Sequence, residues 1–332
     1  MALKEISNPG QLMEMVNAFR VSRIILTAHE LRIFDFLKNE GRSSSEVARL
    51  LGTDPRATNR IMNALVSLGL LRKTNDIYSN TGFTGYYLVS DSPQFLGGLS
   101  HAAHLWKTWN TLTHCVAAGT SVAVDKEINE RPEDWRESFI AAMHSRAGQQ
   151  AKDVASILEL PEQGHILDVG GGSGVFAFAF LTYHPNLKAT VFDLPNIVPI
   201  TEKYIRNAGL EDSVKTIAGD YLNDPFGKDY ALIFMSAIIH INSPAENEAL
   251  IRKGASSLSP GGKLVILDHF MSDDRTEPAT GAIFALNMLV GTDHGDTYTE
   301  SEIRKWMSEA GLSNIRRKDT KEGVSILIGV NS

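Results

Sequence analysis

The stretch that most constrains this chain runs His165-Ile166-Leu167-Asp168-Val169-Gly170-Gly171-Gly172-Ser173-Gly174-Val175-Phe176. Ile166, Leu167 and Val169 form a short apolar run bounded by turn residues, the pattern of a strand buried on both faces. Glycines at 170, 172 and 174 let the backbone turn sharply and approach a ligand where a Cβ would collide. The N–H groups of such a turn, and the positive end of the helix behind it, face something polar or anionic. Downstream, the pattern predicts strands at 165–169, 189–193, 214–218, 230–235 and 263–268 with helices between them, an α/β doubly wound parallel sheet. Ligands of such sheets lie outside the carboxyl ends of the strands, so the residues just after each strand are the candidates for binding and chemistry.

The acids narrow the ligand. A dinucleotide fingerprint is G-x-G-x-x-G, whereas this turn is Asp168-x-Gly170-x-Gly172-x-Gly174, with a carboxylate just ahead of the glycines. The next strand ends in Asp193, 19 residues past Gly174, placed to accept hydrogen bonds from both hydroxyls of a ribose. A third acid follows the third strand, in Gly219-Asp220-Tyr221. Three acids at successive strand ends suit a ligand with a ribose, an adenine amine and a positive charge, and would repel a pyrophosphate. S-adenosyl-L-methionine has all three features and is the expected cofactor.

Ahead of the glycine turn, Ile24, Ala28, Leu31, Phe34 and Leu37 recur at helical spacing and predict one amphipathic helix ending near Gly41. Ser45 to Gly52 reads as a second helix. A third starts after Asp54, an N-cap with Pro55 at the first helical position, and carries Ile61, Met62, Leu65 and Leu68 on one face. Two short strands, 69–73 and 77–80, complete a winged-helix pattern. A winged helix raises DNA binding, yet residues 1–100 hold eleven Lys/Arg against nine Asp/Glu, and Arg56 and Arg60 have no basic run beside them. A dimerisation module fits that charge better. The expected division is 1–100 for this module and 101–332 for linker helices and the cofactor-binding domain.

Net charge of −7 speaks against general nucleic-acid or anionic-membrane binding. The single cysteine, Cys115, excludes an internal disulfide and a cysteine-rich metal site. The opening Met1-Ala2-Leu3-Lys4-Glu5 lacks a signal-peptide pattern, and no apolar run approaches the ~20 residues of a membrane span, so a cytoplasmic protein is expected. His101 and His104 have metal-like spacing but no carboxylate or further histidine at ligand spacing, and a helix lining an aromatic pocket explains them equally.

The main chemical candidate is His240, in Met235-Ser236-Ala237-Ile238-Ile239-His240-Ile241-Asn242, directly ahead of the capping box Ser243-Pro244-Ala245-Glu246. That places it in the crevice between a strand end and a rigid helix start. A histidine side chain titrates near ~6.5, close enough to neutrality to take a proton from an acidic hydroxyl as a nucleophilic oxygen forms.

Taken together, the glycine turn, Asp193-Leu194-Pro195, Gly219-Asp220-Tyr221, the histidine after the fourth strand, Pro260-Gly261-Gly262-Lys263 and Tyr298-Thr299-Glu300-Ser301-Glu302-Ile303 resemble the S-adenosylmethionine-dependent small-molecule O-methyltransferases. Ala28-His29-Glu30-Leu31-Arg32-Ile33-Phe34-Asp35 and Pro55-Arg56-Ala57-Thr58-Asn59-Arg60 are similar to the winged-helix dimerisation module of that family, which implies a homodimer. The resemblance covers nearly the whole chain. It implies cofactor contacts at Gly170, Gly172, Asp193, Leu194, Asp220, Tyr221 and Ser236, His240 as base, and Asp268 as the acid that orients it. Many members read His-Asp-Trp where this chain has His240-Ile241-Asn242, and an acid common before the closing element is Thr297 here. Phe139, Met143, Phe284, Asn287, Met288 and Thr292 are candidates to line the acceptor pocket. Two alternatives stay open: carbon methylation of a 2-oxo acid assisted by a metal on His240 and His294, and a DNA-binding relative without turnover.

Overall fold

Capping chemistry and proline set most helix starts in the N-terminal part of the chain. In the computed structural model, which describes residues 5–122, 133–320 and 325–332, α1 (Pro9–Asn17) begins where the Asn8 side chain accepts the Gln11 N–H. α2 (Phe19–Glu30) follows. The single helix expected to reach Gly41 stops ten residues early, because Arg32 takes a left-handed conformation at φ +54°. One 3₁₀ turn, Asp35–Leu37, then replaces it. Ile33, Phe34 and Leu37 are still buried; the apolar stripe reflects the shared core and not one continuous helix.

β1 (Arg42–Ser43), α3 (Ser44–Leu51) and α4 (Pro55–Ser67) come next, with Ser43 and Glu46 in a reciprocal capping box and Asp54 capping the Ala57 N–H. β2 (Leu71–Thr74) and β3 (Ile77–Asn80) form the wing, in a three-stranded sheet of order β1-β3-β2. Tyr78 is fully buried, and its hydroxyl donates to Asn63 (2.7 Å) and accepts from Asn59 (3.1 Å). The two asparagines of α4 are thus committed to the core of the module. α5 (Gly82–Tyr87) and α6 (Gly98–Trp109) complete this part. The chain divides into two compact units, Met1–Trp106 and Lys107–Ser332.

In the second unit, α7 (Leu112–Ala118) and α8 (Glu133–Ile157) precede a strand–helix alternation: β4 (Gly164–Val169), α9 (Val175–Tyr183), β5 (Leu187–Asp193), α10 (Val198–Ala208), β6 (Val214–Ala218), β7 (Tyr230–Ser236), α11 (Pro244–Ser257) and β8 (Leu258–Asp268). The remainder is β9 (Phe270–Met271), α12 (Ala279–Gly291), β10 (Tyr298–Thr299), α13 (Glu300–Glu309), β11 (Leu312–Asp319) and β12 (Ser325–Asn331). The large sheet has order β11-β12-β8-β7-β4-β5-β6, and the five expected strands are its parallel part. This is a class I methyltransferase fold, a Rossmann-like doubly wound sheet.

Two features depart from the expected all-parallel sheet. β12 runs antiparallel to both β8 and β11, because adjacent strands of a hairpin need no helical crossover. Pro260-Gly261-Gly262, just ahead of the strand expected at 263–268, lies inside β8, where Gly261 has φ +74° and the pairing with β7 slips between Tyr230 and Leu232. Side chains alternate across the sheet as strand geometry requires: Leu167, Ile233, Met235 and Ile266 enter one core layer, and Ile166, Leu232, Phe234 and Val265 the other. Each such fully buried side chain contributes ~1.5–3 kcal/mol relative to exposure. Strand order reverses at β4, with β5 on one side and β7 on the other. The loops after β4 and β7 therefore flank the crevice at the topological switch point.

Candidate functional site

The glycine turn after β4 is held from several sides. Gly170 has φ +65°, and a Cβ there would sit 2.7 Å from the Ile238 methyl, so the position admits only glycine on two counts. The Gly172 N–H donates to Asp193 Oδ2 at 2.7 Å, and the Leu194 N–H to Asp193 Oδ1 at 2.8 Å. Each oxygen of that carboxylate keeps a lone pair for another donor. The Thr201 hydroxyl on α10 donates to the Gly172 carbonyl at 2.6 Å, and His144 on α8 bonds the Ser173 hydroxyl at 2.8 Å. Periodicity gave no sign of His144 or Thr201, whose partners lie 29 residues away in sequence.

Electrostatically this end of the crevice favours a cation. Burial pushes the Asp193 carboxyl up to about 6 against the opposing pull of its two N–H donors. Burial likewise pushes Asp168 up to about 7, and the neighbouring Asp193 charge adds to the effect. The Ala177 N–H acts the other way, but neither Asp168 oxygen has a hydrogen-bond partner among the described residues, so burial dominates. Asp220 turns into its own loop, accepting from the Leu222 N–H (2.9 Å) and the Asn223 amide (2.6 Å). Leu194 packs with Phe139, Ile140, Ile197, Ile200 and Tyr204. Phe139, expected in the acceptor pocket, thus stands beside the residues after β5.

On the other side of the switch point, Ser236 ends β7 and Ala237 bends the chain with φ +56°, an uncommon value for a residue with a Cβ. One 3₁₀ turn, Ile239–Ile241, then carries His240. The histidine is 9% exposed, and its Nδ1 lies 2.7 Å from Asp268 Oδ1 at the end of β8. A carboxylate only accepts, so the ring proton sits on Nδ1 and Nε2 presents a lone pair. The same Oδ1 accepts the His269 N–H at 2.8 Å, while Oδ2 is buried without a partner among the described residues.

The second of the two residues that depart from the His-Asp-Trp pattern closes this turn. Asn242, buried, accepts from the Tyr221 hydroxyl (3.0 Å) and donates to Asn247 (3.1 Å), whose own amide donates to the Ile239 carbonyl (2.8 Å). The Tyr298 hydroxyl donates to the Asn242 carbonyl. Burial pushes both tyrosine hydroxyls up, which keeps them neutral donors. Tyr221 and His240 are thereby joined through one network.

Of the remaining pocket candidates, Phe284 packs edge-on against His240 with centroids 4.9 Å apart. Asn287 accepts from the Trp109 indole N–H at 2.9 Å, and Met288 is buried on the same helix, α12. Met143 is half-buried on α8. Thr292 caps the end of α12 through the Met288 carbonyl and lines a cleft with His294 and Gly119. Among the described residues no three His, Cys, Asp or Glu side chains converge as a metal site, so the metal-assisted alternative finds no support. The DNA-binding alternative finds none either.

The doubly wound sheet, with its glycine turn at the switch point after β4, is the architecture of a class I methyltransferase. Residues 107–313 match the O-methyltransferase domain and residues 13–90 the O-methyltransferase dimerisation domain. The chain belongs to the O-methyltransferase family and is an S-adenosyl-L-methionine-dependent enzyme. It is 30% identical to the tetracenomycin polyketide synthesis 8-O-methyl transferase of Streptomyces glaucescens, over 98% of this chain and 97% of that one. An O-methyltransferase family protein from Burkholderia thailandensis has the same fold, with TM-score 0.88, 28% identity, and 98% and 99% of the two chains covered. Human N-acetylserotonin methyltransferase in complex with SAM superimposes with TM-score 0.85 over the full length of both chains at 23% identity, a likeness of fold. The cofactor fits the residues present: Asp193 has two acceptor positions left, and among the described residues no cationic side chain pairs with Asp168 or Asp193.

Proposed function

We propose that this enzyme methylates a phenolic or enolic hydroxyl of an aromatic small molecule, with His240 as general base and Asp268 holding its ring. The observation that carries this is the 2.7 Å contact between His240 Nδ1 and Asp268 Oδ1, which leaves Nε2 as a buried acceptor at the switch point. Gly170, Gly172, Asp193, Leu194, Asp220, Tyr221 and Ser236 would hold the cofactor, Asp193 through its two remaining lone pairs. S-adenosyl-L-methionine supplies, when bound, a methyl group that is already electrophilic. The protein's tasks are alignment and proton removal. His240 Nε2 takes the hydroxyl proton as the oxygen becomes nucleophilic, and Asp268 stabilises the imidazolium that results.

Phe284, Asn287 and Met288 on α12, with Met143, supply a largely apolar wall for an aromatic acceptor. The relative that acts in tetracenomycin polyketide synthesis favours a polyketide hydroxyl as that acceptor. The dimerisation domain favours a homodimer. Leu12, Met13, Met15, Val16 and Phe19 each expose half or more of their surface on α1 and α2, and a second copy would cover them.

Methyl transfer from labelled S-adenosyl-L-methionine to a panel of phenols and naphthols tests the reading. His240→Ala should lower turnover ~10²–10⁴-fold while calorimetric cofactor binding stays within about twofold. Full activity in that variant would leave alignment alone as the catalytic device.

A further inference from the structure

We infer that His269 is a second acceptor-recognition residue, one that hydrogen-bonds an oxygen next to the hydroxyl being methylated and so selects aromatics carrying a neighbouring pair of oxygens. The inference rests on the function proposed above. It starts from the ring at the end of β8 that no structural bond uses. The His269 ring is half-buried, yet only its backbone N–H has a hydrogen-bond partner among the described residues. Its ring nitrogens are not among the buried polar atoms left without a partner, so they stay reachable and open to a ligand's hydrogen bond.

Its position says which ligand. The His269 ring lies 6.4 Å from the His240 ring and 4.3 Å from Phe284, which is itself 4.9 Å from His240. These three separations make Phe284 the corner of a roughly right-angled triangle, so the phenyl ring does not stand between the histidines. The two imidazoles both pack against the Phe284 ring, from two sides of it. Oxygens on adjacent or peri positions of an aromatic are about one hydrogen-bond length apart, and two hydrogen bonds of ~2.8 Å inclined toward each other reach such a pair from rings at this spacing. Burial, with help from His240 and Arg146, holds the His269 ring below the usual histidine range against the pull of Asp268. A neutral imidazole can donate from one nitrogen and accept at the other, so it serves a carbonyl or a hydroxyl. Asp268 joins the two sites: its Oδ1 takes the ring proton of His240 and the backbone N–H of His269. Binding of the second oxygen therefore fixes the acceptor relative to the base itself.

The test compares 2-naphthol with 2,3-dihydroxynaphthalene, which share one carbon skeleton, in the intact enzyme and in His269→Phe and His269→Gln. The wild type should favour the diol in kcat/KM by about tenfold or more, beyond the factor of two for its two hydroxyls. His269→Phe keeps the ring contact with Phe284 and should bring the ratio to about two; His269→Gln, which still donates and accepts, should restore part of it. A merely structural role would lower both substrates together and leave the ratio untouched. A ratio in His269→Phe equal to that of the wild type overturns the inference and leaves the function standing. Failure of the wild type to methylate any phenol, with cofactor bound, overturns both.

Discussion

Replacing Asp268 by asparagine tests the site at its most specific point. The carboxylate oxygen that faces His240 accepts two hydrogen bonds, from His240 Nδ1 at 2.7 Å and from the His269 N–H at 2.8 Å, while the other oxygen is buried without a partner among the described residues. An asparagine can keep its carbonyl in the doubly used position and place its NH₂ where nothing was bonded. Flipping the amide would let its NH₂ donate to His240 Nδ1 in the other tautomer but would also set it against the His269 N–H, losing that hydrogen bond of about 1 kcal/mol and leaving a buried backbone donor unmet at a further ~1–3 kcal/mol. Either orientation strands one amide atom at the buried Oδ2 position, so those costs cancel and the tautomer with Nδ1–H survives by about 2 kcal/mol or more. What is lost is charge: the bond to a forming imidazolium falls from the charge-assisted class to the neutral one, about 1–2 kcal/mol, or about 5–30-fold in kcat. Asp268→Ala removes the oxygen altogether and should cost at least about 10²-fold. Steady-state transfer of a labelled methyl group to the best phenol, with kcat and KM separated and folding checked by thermal melting, gives both numbers. If Asp268→Asn is as damaging as His240→Ala, the amide has flipped and the backbone N–H of His269 is not the lock deduced here.

Other expectations concern the cofactor end and the N-terminal unit. Asp193→Ala should weaken S-adenosyl-L-methionine binding by ~1–3 kcal/mol in calorimetry. A cation prefers Asp193 ionised, so with its carboxyl near 6 wild-type affinity should rise between pH 5 and 7 and level off above, and a flat profile would contradict the assignment. For Asp168, raised from 3.8 to about 7 in the fold, the protonated form favours the native state. Its contribution to stability is complete below pH ~4 and is lost as pH rises through about 7, at about 4 kcal/mol in all, so urea melts of the cofactor-free protein should show Asp168→Asn removing most of that decline. Glutamate at both Leu12 and Val16 should convert a dimer to monomer in light scattering at micromolar concentration; an unchanged mass would place the interface elsewhere.

What the sequence made legible follows from where its chemistry is local. A strand followed at once by Gly170, Gly172 and Gly174 has few foldings, and a carboxylate one strand later, Asp193, is brought to that turn by the sheet itself. The capping box at Ser243 fixed where α11 starts, and with it the place of His240. Long-range partners left no periodic trace. The ties of His144 and Thr201 to the glycine turn, the part of Asn242 in the histidine turn and the uncommitted ring of His269 depend on the folded neighbourhood. Apolar spacing misled through Phe34 and Leu37, which are buried without continuing α2. The antiparallel edge was hidden because a short apolar run such as Ile326-Leu327-Ile328 does not reveal its strand's direction.

The contact between Gly170 and Ile238 has a consequence for how such enzymes diversify. Cofactor loop and histidine turn touch directly, and Tyr221 and Tyr298 both bond Asn242, so these segments can change only together. α12, by contrast, presents Phe284, Asn287 and Met288 on one helix whose Ile283 and Leu286 remain exposed. With α12 as the proposed acceptor wall, drift in acceptor preference accumulates along a single helix outside the contact of Phe284 with His240, and exchanging residues 279–291 between relatives that share Phe284 should trade substrates without trading chemistry.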